Sequence, residues 1–290
     1  MKLLQLINYL VLASISLTIS WQPIQAQVNL NQPSPTNIKN TKIDKSKKTI
    51  RFTPPPVPNQ GIPMGRSRGG ASRSQECQIA KEPLTALVPN ANKSLTKVGK
   101  ASTARAKNNL VELAKSTSES VWALTASDRP SFWFYVPYAL NSNYPIEFVV
   151  QDELNTTLYQ NSLTLAQTEP GVMQVKLPNS LPPLEIGKRY HWYFLVYCDE
   201  DDPVYVEGWV ERVAVNSNLK MKLDRATPTE KAELYAANGI WYDALTNLAQ
   251  LRQFYPHDIK LKADWESLLE SVGLDAIASQ PILSCCNFRD

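Results

Sequence analysis

Apolar and polar residues alternate most clearly in the middle of the chain. In Val172–Leu177, Val172, Gln174 and Lys176 straddle Met173, Val175 and Leu177, and this period of two predicts a half-buried strand. Ile146–Gln151 comes close to the same alternation, and Leu158–Leu165 is a further strand candidate, with turns at Asn155 and Asn161. Tyr190–Tyr197 is the strongest strand. Tyr190, Trp192, Phe194 and Val196 share one face, and His191, Tyr193, Leu195 and Tyr197 share the other. Both faces are bulky, which predicts a central position in a sheet. Val204–Val213 returns after a turn, and the aromatic run Ser131–Tyr135 is closed by Pro137. Short strands at regular spacing, with no βαβ period, predict an all-β immunoglobulin-like sandwich over residues 76–215.

The period changes at Thr227. Thr227-Pro228-Thr229-Glu230 offers a cap hydroxyl, a proline at the first helical position and a glutamate three residues after the cap. A helix to about Ala237 is predicted, then a stop at Asn238-Gly239, a second helix over Ile240–Phe254 ended by Pro256, and a third over Asp264–Val272. Residues 226–275 therefore read as a short α-helical hairpin plus a third helix, making the chain α+β overall. Residues 76–127 are ambiguous. Leu84–Val88 suits a short strand, Asn109–Leu113 and Ser120–Ala123 suit a strand or a helical turn, and the lysine-rich piece between reads as an exposed insertion.

The N-terminus has a different pattern. Lys2, the mostly apolar stretch Leu3–Ile19 and the small residue of Ile24-Gln25-Ala26 form a signal peptide over residues 1–26, too short in its apolar run for a comfortable span. Residues 27–75 hold nine Lys or Arg against one Asp, while residues 76–290 hold 20 against 26. The basic charge thus belongs to a Pro-, Gly- and Asn-rich arm, read as a disordered tether, and not to a folded face with interleaved aromatics. That argues against nucleic-acid binding. The glycine- and arginine-rich stretch 61–70 does not match a phosphate-cradling loop. Export makes disulfides permissible among Cys77, Cys198, Cys285 and Cys286, and a Cys77–Cys198 bridge is the simplest long-range pairing. The last two lie in a tail, residues 276–290, where they are adjacent and would pair together only through a strained ring.

Candidate chemistry is sparse. His191 sits in an aromatic strand, His257 sits in a turn, and neither has metal-ligand spacing to a second histidine. No hydrolase, redox or metalloprotease motif occurs. No catalytic residue, cofactor site or resident metal is therefore assigned, and the expectation is a non-enzymatic protein. Asp199, Glu200, Asp201 and Asp202 form one dense carboxylate loop, a weak calcium candidate. Trp241 and Leu245, on the second helix, are the candidate interaction surface. Twelve Tyr and seven Trp offer a further candidate, an aromatic sheet face that stacks on sugars or on a partner chain.

FWFYVPY (132–138), LEIGKRYHWYF (184–194) with Cys198-Asp199, VEGWVERV (206–213), GIWYDAL (239–245) and GRSRGG ahead of Cys77 together resemble DUF928, a cyanobacterial family of unknown function. The resemblance covers roughly residues 60–273. It implies a signal-bearing cyanobacterial protein and no particular activity. Ala232, Tyr235, Gly239, Ala244, Leu248 and Pro256 also resemble one tetratricopeptide hairpin, although Leu251 replaces the usual alanine. The resulting expectation is a secreted or periplasmic interaction module. It would bind another exported envelope protein or, alternatively, a carbohydrate polymer of the wall or sheath, with no nucleic acid and no span after signal cleavage. The sequence leaves its oligomeric state open.

Overall fold

The computed structural model describes residues 49–69, 80–90, 119–141, 144–163, 168–198 and 202–283. The signal peptide, the first part of the arm and the tail from residue 284 lie outside these residues, as do Cys77, the insertion at 91–118 and Asp199–Asp201.

Among the described residues eight strands build two sheets. They are β1 Thr85–Ala86, β2 Trp122–Thr125, β3 Ser131–Val136, β4 Ile146–Gln151, β5 Thr157–Leu163, β6 Gly171–Lys176, β7 Arg189–Val196 and β8 Val204–Arg212. One sheet has the order β1-β3-β6, the other β2-β8-β7-β4-β5. All neighbours are antiparallel except β2, which runs parallel to β8, so the larger sheet is mixed. The central place predicted for the Tyr190–Tyr197 strand is occupied by β7. The two sheets meet through an aromatic layer. Phe134 of β3 stacks on Phe194 of β7 at 4.1 Å and 12°, and Phe132 lies 5.0 Å from Phe148 of β4.

Four helices follow, α1 Ser217–Arg225, α2 Pro228–Ala237, α3 Trp241–Phe254 and α4 Ile259–Ser271. The expected hairpin with a third helix is thus corrected to a bundle of four. α1 escaped prediction because only Leu219 and Leu223 carry its apolar stripe; Asn216 caps it by accepting from Leu219 N at 2.9 Å. The capping box of α2 forms in both halves between Thr227 and Glu230. α4 starts five residues before the expected Asp264, because Asp258 caps it through Leu261 N. Among the described residues no helix is long and apolar enough to cross a membrane.

α2, α3 and α4 share the core of the sheets, while Leu219 and Leu223 of α1 form a smaller cluster with Ile240. Tyr242 of α3 reaches the aromatic layer, where its hydroxyl accepts from Trp192 Nε1 at 2.9 Å and its ring meets Phe132 edge-on at 5.2 Å. Trp133, on the other side of β3, donates to Thr246 Oγ1 at 3.0 Å.

Residues 49–69, read from composition as part of a disordered arm, form an ordered strap. Ile50 and Phe52 are buried, and Phe52 meets Trp241 edge-on at 5.0 Å. Thr53 N donates to Ala236 O at 3.0 Å, tying the strap to α2. Further on, Gly65 N donates to Glu119 O and Arg66 N to Glu207 O. Gly65 is required there, since an added Cβ would stand 2.8 Å from Glu207 O. Two apolar anchors hold a segment whose average composition predicted none.

Of the two ends of the expected Cys77–Cys198 bridge only Cys198 lies among the described residues, where no two cysteines stand at bonding distance. Cys198 is buried and disulfide-bonded.

Candidate functional site

The outer face of the five-stranded sheet concentrates polar chemistry. Alternation along β7 and β8 sends Trp192, Phe194, Val206 and Val210 inward and turns His191, Tyr193, Tyr205, Glu207, Trp209 and Glu211 outward, where each is half-buried. Cross-strand register then lines up Gln151 of β4, His191 of β7, Trp209 of β8 and Trp122 of β2 in one row. Neighbouring strands lie about 4.8 Å apart, so rings in one row are in contact range.

Each ring in the row has a defined partner. His191 stacks on Trp209 at 4.3 Å and 9°. Its Nδ1 lies 2.9 Å from the Tyr193 hydroxyl, and its Nε2 lies 3.1 Å from Glu207 Oε2, near enough for an ion pair but not aligned as a hydrogen bond. Trp209 Nε1 donates to Met64 O of the strap at 3.0 Å, and the Arg66 guanidinium sits 4.5 Å above the Tyr205 ring. At the other end Trp122 Nε1 donates to Glu211 Oε2 at 3.2 Å, and the same oxygen is 3.0 Å from Arg189 Nε. Arg189 is almost fully buried, so its pairing with Glu211 is needed to compensate its desolvation.

Tyrosine acidity reflects this setting. Burial, then the hydrogen bond and charge of Glu147, push the Tyr197 phenol up to about 12; its hydroxyl donates to Glu147 Oε2 at 2.7 Å. Tyr193 is raised by burial and by the charges of Glu207 and Tyr205. These phenols therefore act as neutral hydrogen-bond groups around neutral pH.

A second polar feature is a cleft of about 230 Å³ where α3 meets β2 and β3, lined by Thr125, Arg129, Lys176, Asp243, Thr246 and Gln250 among others. Asp243 Oδ2 accepts from Thr125 Oγ1 at 2.8 Å and from Ala126 N at 2.9 Å. Burial raises its carboxyl above the usual range, while these bonds oppose the shift. The carboxylate ties α3 to the end of β2, a structural employment.

Of the residues singled out from sequence, Trp241 and Leu245 are not a surface. Both are fully buried, and Trp241 Nε1 donates to Leu87 O at 2.8 Å. Their helix is amphipathic, and the face chosen is the one turned to the core. Asp202 is exposed, but the rest of the acidic loop lies outside the described residues; among the described residues no group of three or more His, Cys, Asp or Glu is placed to hold a metal ion. His257 is exposed in the turn between α3 and α4. Sequence reasoning missed Arg189, Arg66 and Asp243, whose partners lie on other elements. A pairing of β7 with β8 in register would have flagged Glu207 and Trp209 beside His191.

Residues 68–282 match the family described as Domain of Unknown Function (DUF928), and the chain belongs to that family. The match speaks to neither a cyanobacterial origin nor a tetratricopeptide hairpin. No curated protein matches the chain. Two solved structures of a β-glucuronidase from Parabacteroides merdae, one with glycerol in its active site, are similar over 28% of this chain and 10% of theirs, at 14% and 16% identity and a TM-score of 0.21. The chain therefore spans a small part of those proteins, and at that score the likeness carries no argument.

Proposed function

We propose that the chain is an exported, non-enzymatic binding module of the cell envelope, secreted or periplasmic, that engages a hydroxyl-rich polymer on the outer face of its five-stranded sheet. We read its two sheets as an immunoglobulin-like sandwich carrying that face. The reading rests on the cross-strand row of Gln151, His191 and Trp209, flanked by Tyr193, Tyr205 and the carboxylates Glu207 and Glu211. Aromatic bodies with polar tips suit sugar C–H faces, and interleaved carboxylates accept hydroxyl protons. The leader read at residues 1–26 supports export. The burial of Trp241 and Leu245 removes the surface on which a protein partner was first expected.

The test is migration in gels that contain soluble wall or sheath polysaccharide. The wild-type chain is expected to be retarded, and a Tyr193→Ala, Tyr205→Ala double variant to lose most of the retardation while its far-ultraviolet circular dichroism shows it still folded at the temperature of the gel. Equal mobility of both with every polysaccharide, including none, rejects the polymer reading.

A second reading, binding of another exported protein, is favoured by one observation. Phe254, Tyr255 and Ile259 are all strongly exposed and close in sequence at the α3–α4 connection. Capture from envelope extract that is lost in a Phe254→Ser, Ile259→Ser variant, with polymer binding unaffected, supports it.

A further inference from the structure

Strand edges are where a sheet is open to another chain, and folded proteins usually cover, charge or shorten them. Among the described residues, three of the four sheet edges are covered. At β6, Val172 N donates to Pro281 O and Leu283 N to Val172 O, both at 2.8 Å, so residues 281–283 close that edge. At β1, Gly69 N donates to Leu84 O at 2.7 Å and Ala86 N to Ser67 O at 2.9 Å. β2 is only four residues long, bridged beside its start by Asn90 to Val121 and held at its end by the Asp243 carboxylate.

β5 is different. It has seven residues, Thr157-Leu158-Tyr159-Gln160-Asn161-Ser162-Leu163, pairs with β4 on one side, and among the described residues nothing pairs with the other. It carries no charge and no proline, two of the usual guards of a free edge; its one irregularity is a bulge at Leu158, where the register with β4 shifts between Val150 and Gln151. Leu158, Gln160 and Ser162 are exposed on one face, while Tyr159, on the other, packs toward Phe148 at 6.3 Å.

We propose that β5 is the dimerisation edge of this protein, joining a second copy of the same chain by antiparallel β5–β5 pairing about a two-fold axis at Gln160. A two-fold interface must be complementary to itself. With the axis at Gln160, that residue faces its own copy, Leu158 faces Ser162, and Tyr159 faces Asn161. None of these pairs sets like charges together. The Asn161 amide already lies 3.2 Å from the Tyr159 hydroxyl within one strand, so the same chemistry is present for the cross-strand pair. The Gln160 amide donates to Glu147 Oε1 at 2.6 Å, leaving its carbonyl oxygen and its second N–H for its symmetry mate. Pairing joins the two five-stranded sheets into one ten-stranded sheet and sets their outer faces side by side. The edge proposal does not depend on what those faces bind.

Sedimentation equilibrium over a concentration series tests this with the chain expressed and processed from its full sequence. Wild type is expected to be a reversible dimer. Gln160→Lys sets two lysines against each other on the axis and is expected to weaken the dimer by up to about fivefold, since directly opposed like charges destabilise a strand pair. Ser162→Lys, which faces Leu158 and not itself, is expected to weaken it less. Both positions are exposed, so far-ultraviolet circular dichroism and the thermal midpoint of a diluted sample should match wild type. Hydrogen exchange is expected to show the outward β5 amides protected at high concentration and released on dilution. A monomeric wild type overturns the proposal, as do lysine variants that dimerise like wild type. Concentration-independent protection of β5 in a monomer also overturns it, by assigning the edge to another segment of the same chain.

Discussion

The two faces of β7 are made of similar residues and do different things. Inward, Trp192 and Phe194 have no accessible surface and are packed by rings from the opposite sheet and from α3. Outward, His191 and Tyr193 keep part of their surface in water and are held by directional contacts to Glu207, Trp209 and each other. Burial of apolar area stabilises the first face, while hydrogen bonds and ion pairs whose net worth is small arrange the second. An aromatic strand is therefore neither core nor binding surface by composition; the neighbouring layer decides.

This contrast can be broken at graded cost. Phe134→Ala removes a ring stacked at 4.1 Å in the inner layer and is expected to cost about 3–5 kcal/mol, read by denaturant unfolding. Gly208→Ala adds a Cβ that would stand 2.5 Å from Trp192 Cζ2 and 2.6 Å from Val121 Cγ1, and is expected to cost about 1–3 kcal/mol by overpacking the same layer from β8. On the outer face, Tyr193→Phe removes one hydrogen bond to His191 and should cost about 0.5–1.5 kcal/mol without changing near-ultraviolet circular dichroism of the inner rings. If Tyr193→Phe proved as damaging as Phe134→Ala, the distinction between the faces would fail.

Alkaline stability sharpens the comparison with the smallest effect. The Tyr197 phenol is raised from 10.0 to about 12 in the folded protein, so the fold holds its proton after the unfolded chain has released it. Its contribution is fully present below pH 10 and is lost as pH rises through about 12. Tyr197→Phe should flatten that part of the stability profile and leave the neutral region close to wild type apart from the lost bond to Glu147.

Several elements are legible in the residue pattern alone. Six strands from β3 to β8 fall where alternation or aromatic runs put them, within a residue or two at each end. The start of α2 is set by Thr227, Pro228 and Glu230, a local motif whose partners are three residues apart. The candidate site is half legible. His191 stands out as an isolated histidine among aromatics, but Glu207 and Trp209 join it only through the register of β7 with β8.

Residue order thus accounts for local features: which segments are strands, where α2 begins, and which residues of a strand share a face. Those depend on period and on partners a few positions away. Packing accounts for the rest. It makes Trp241 and Leu245 core, anchors a strap through Ile50 and Phe52, and leaves the β5 edge uncovered among the described residues. Each of these depends on contacts between segments far apart in the chain. Amphipathic pattern states that a face must be covered; it does not state by what.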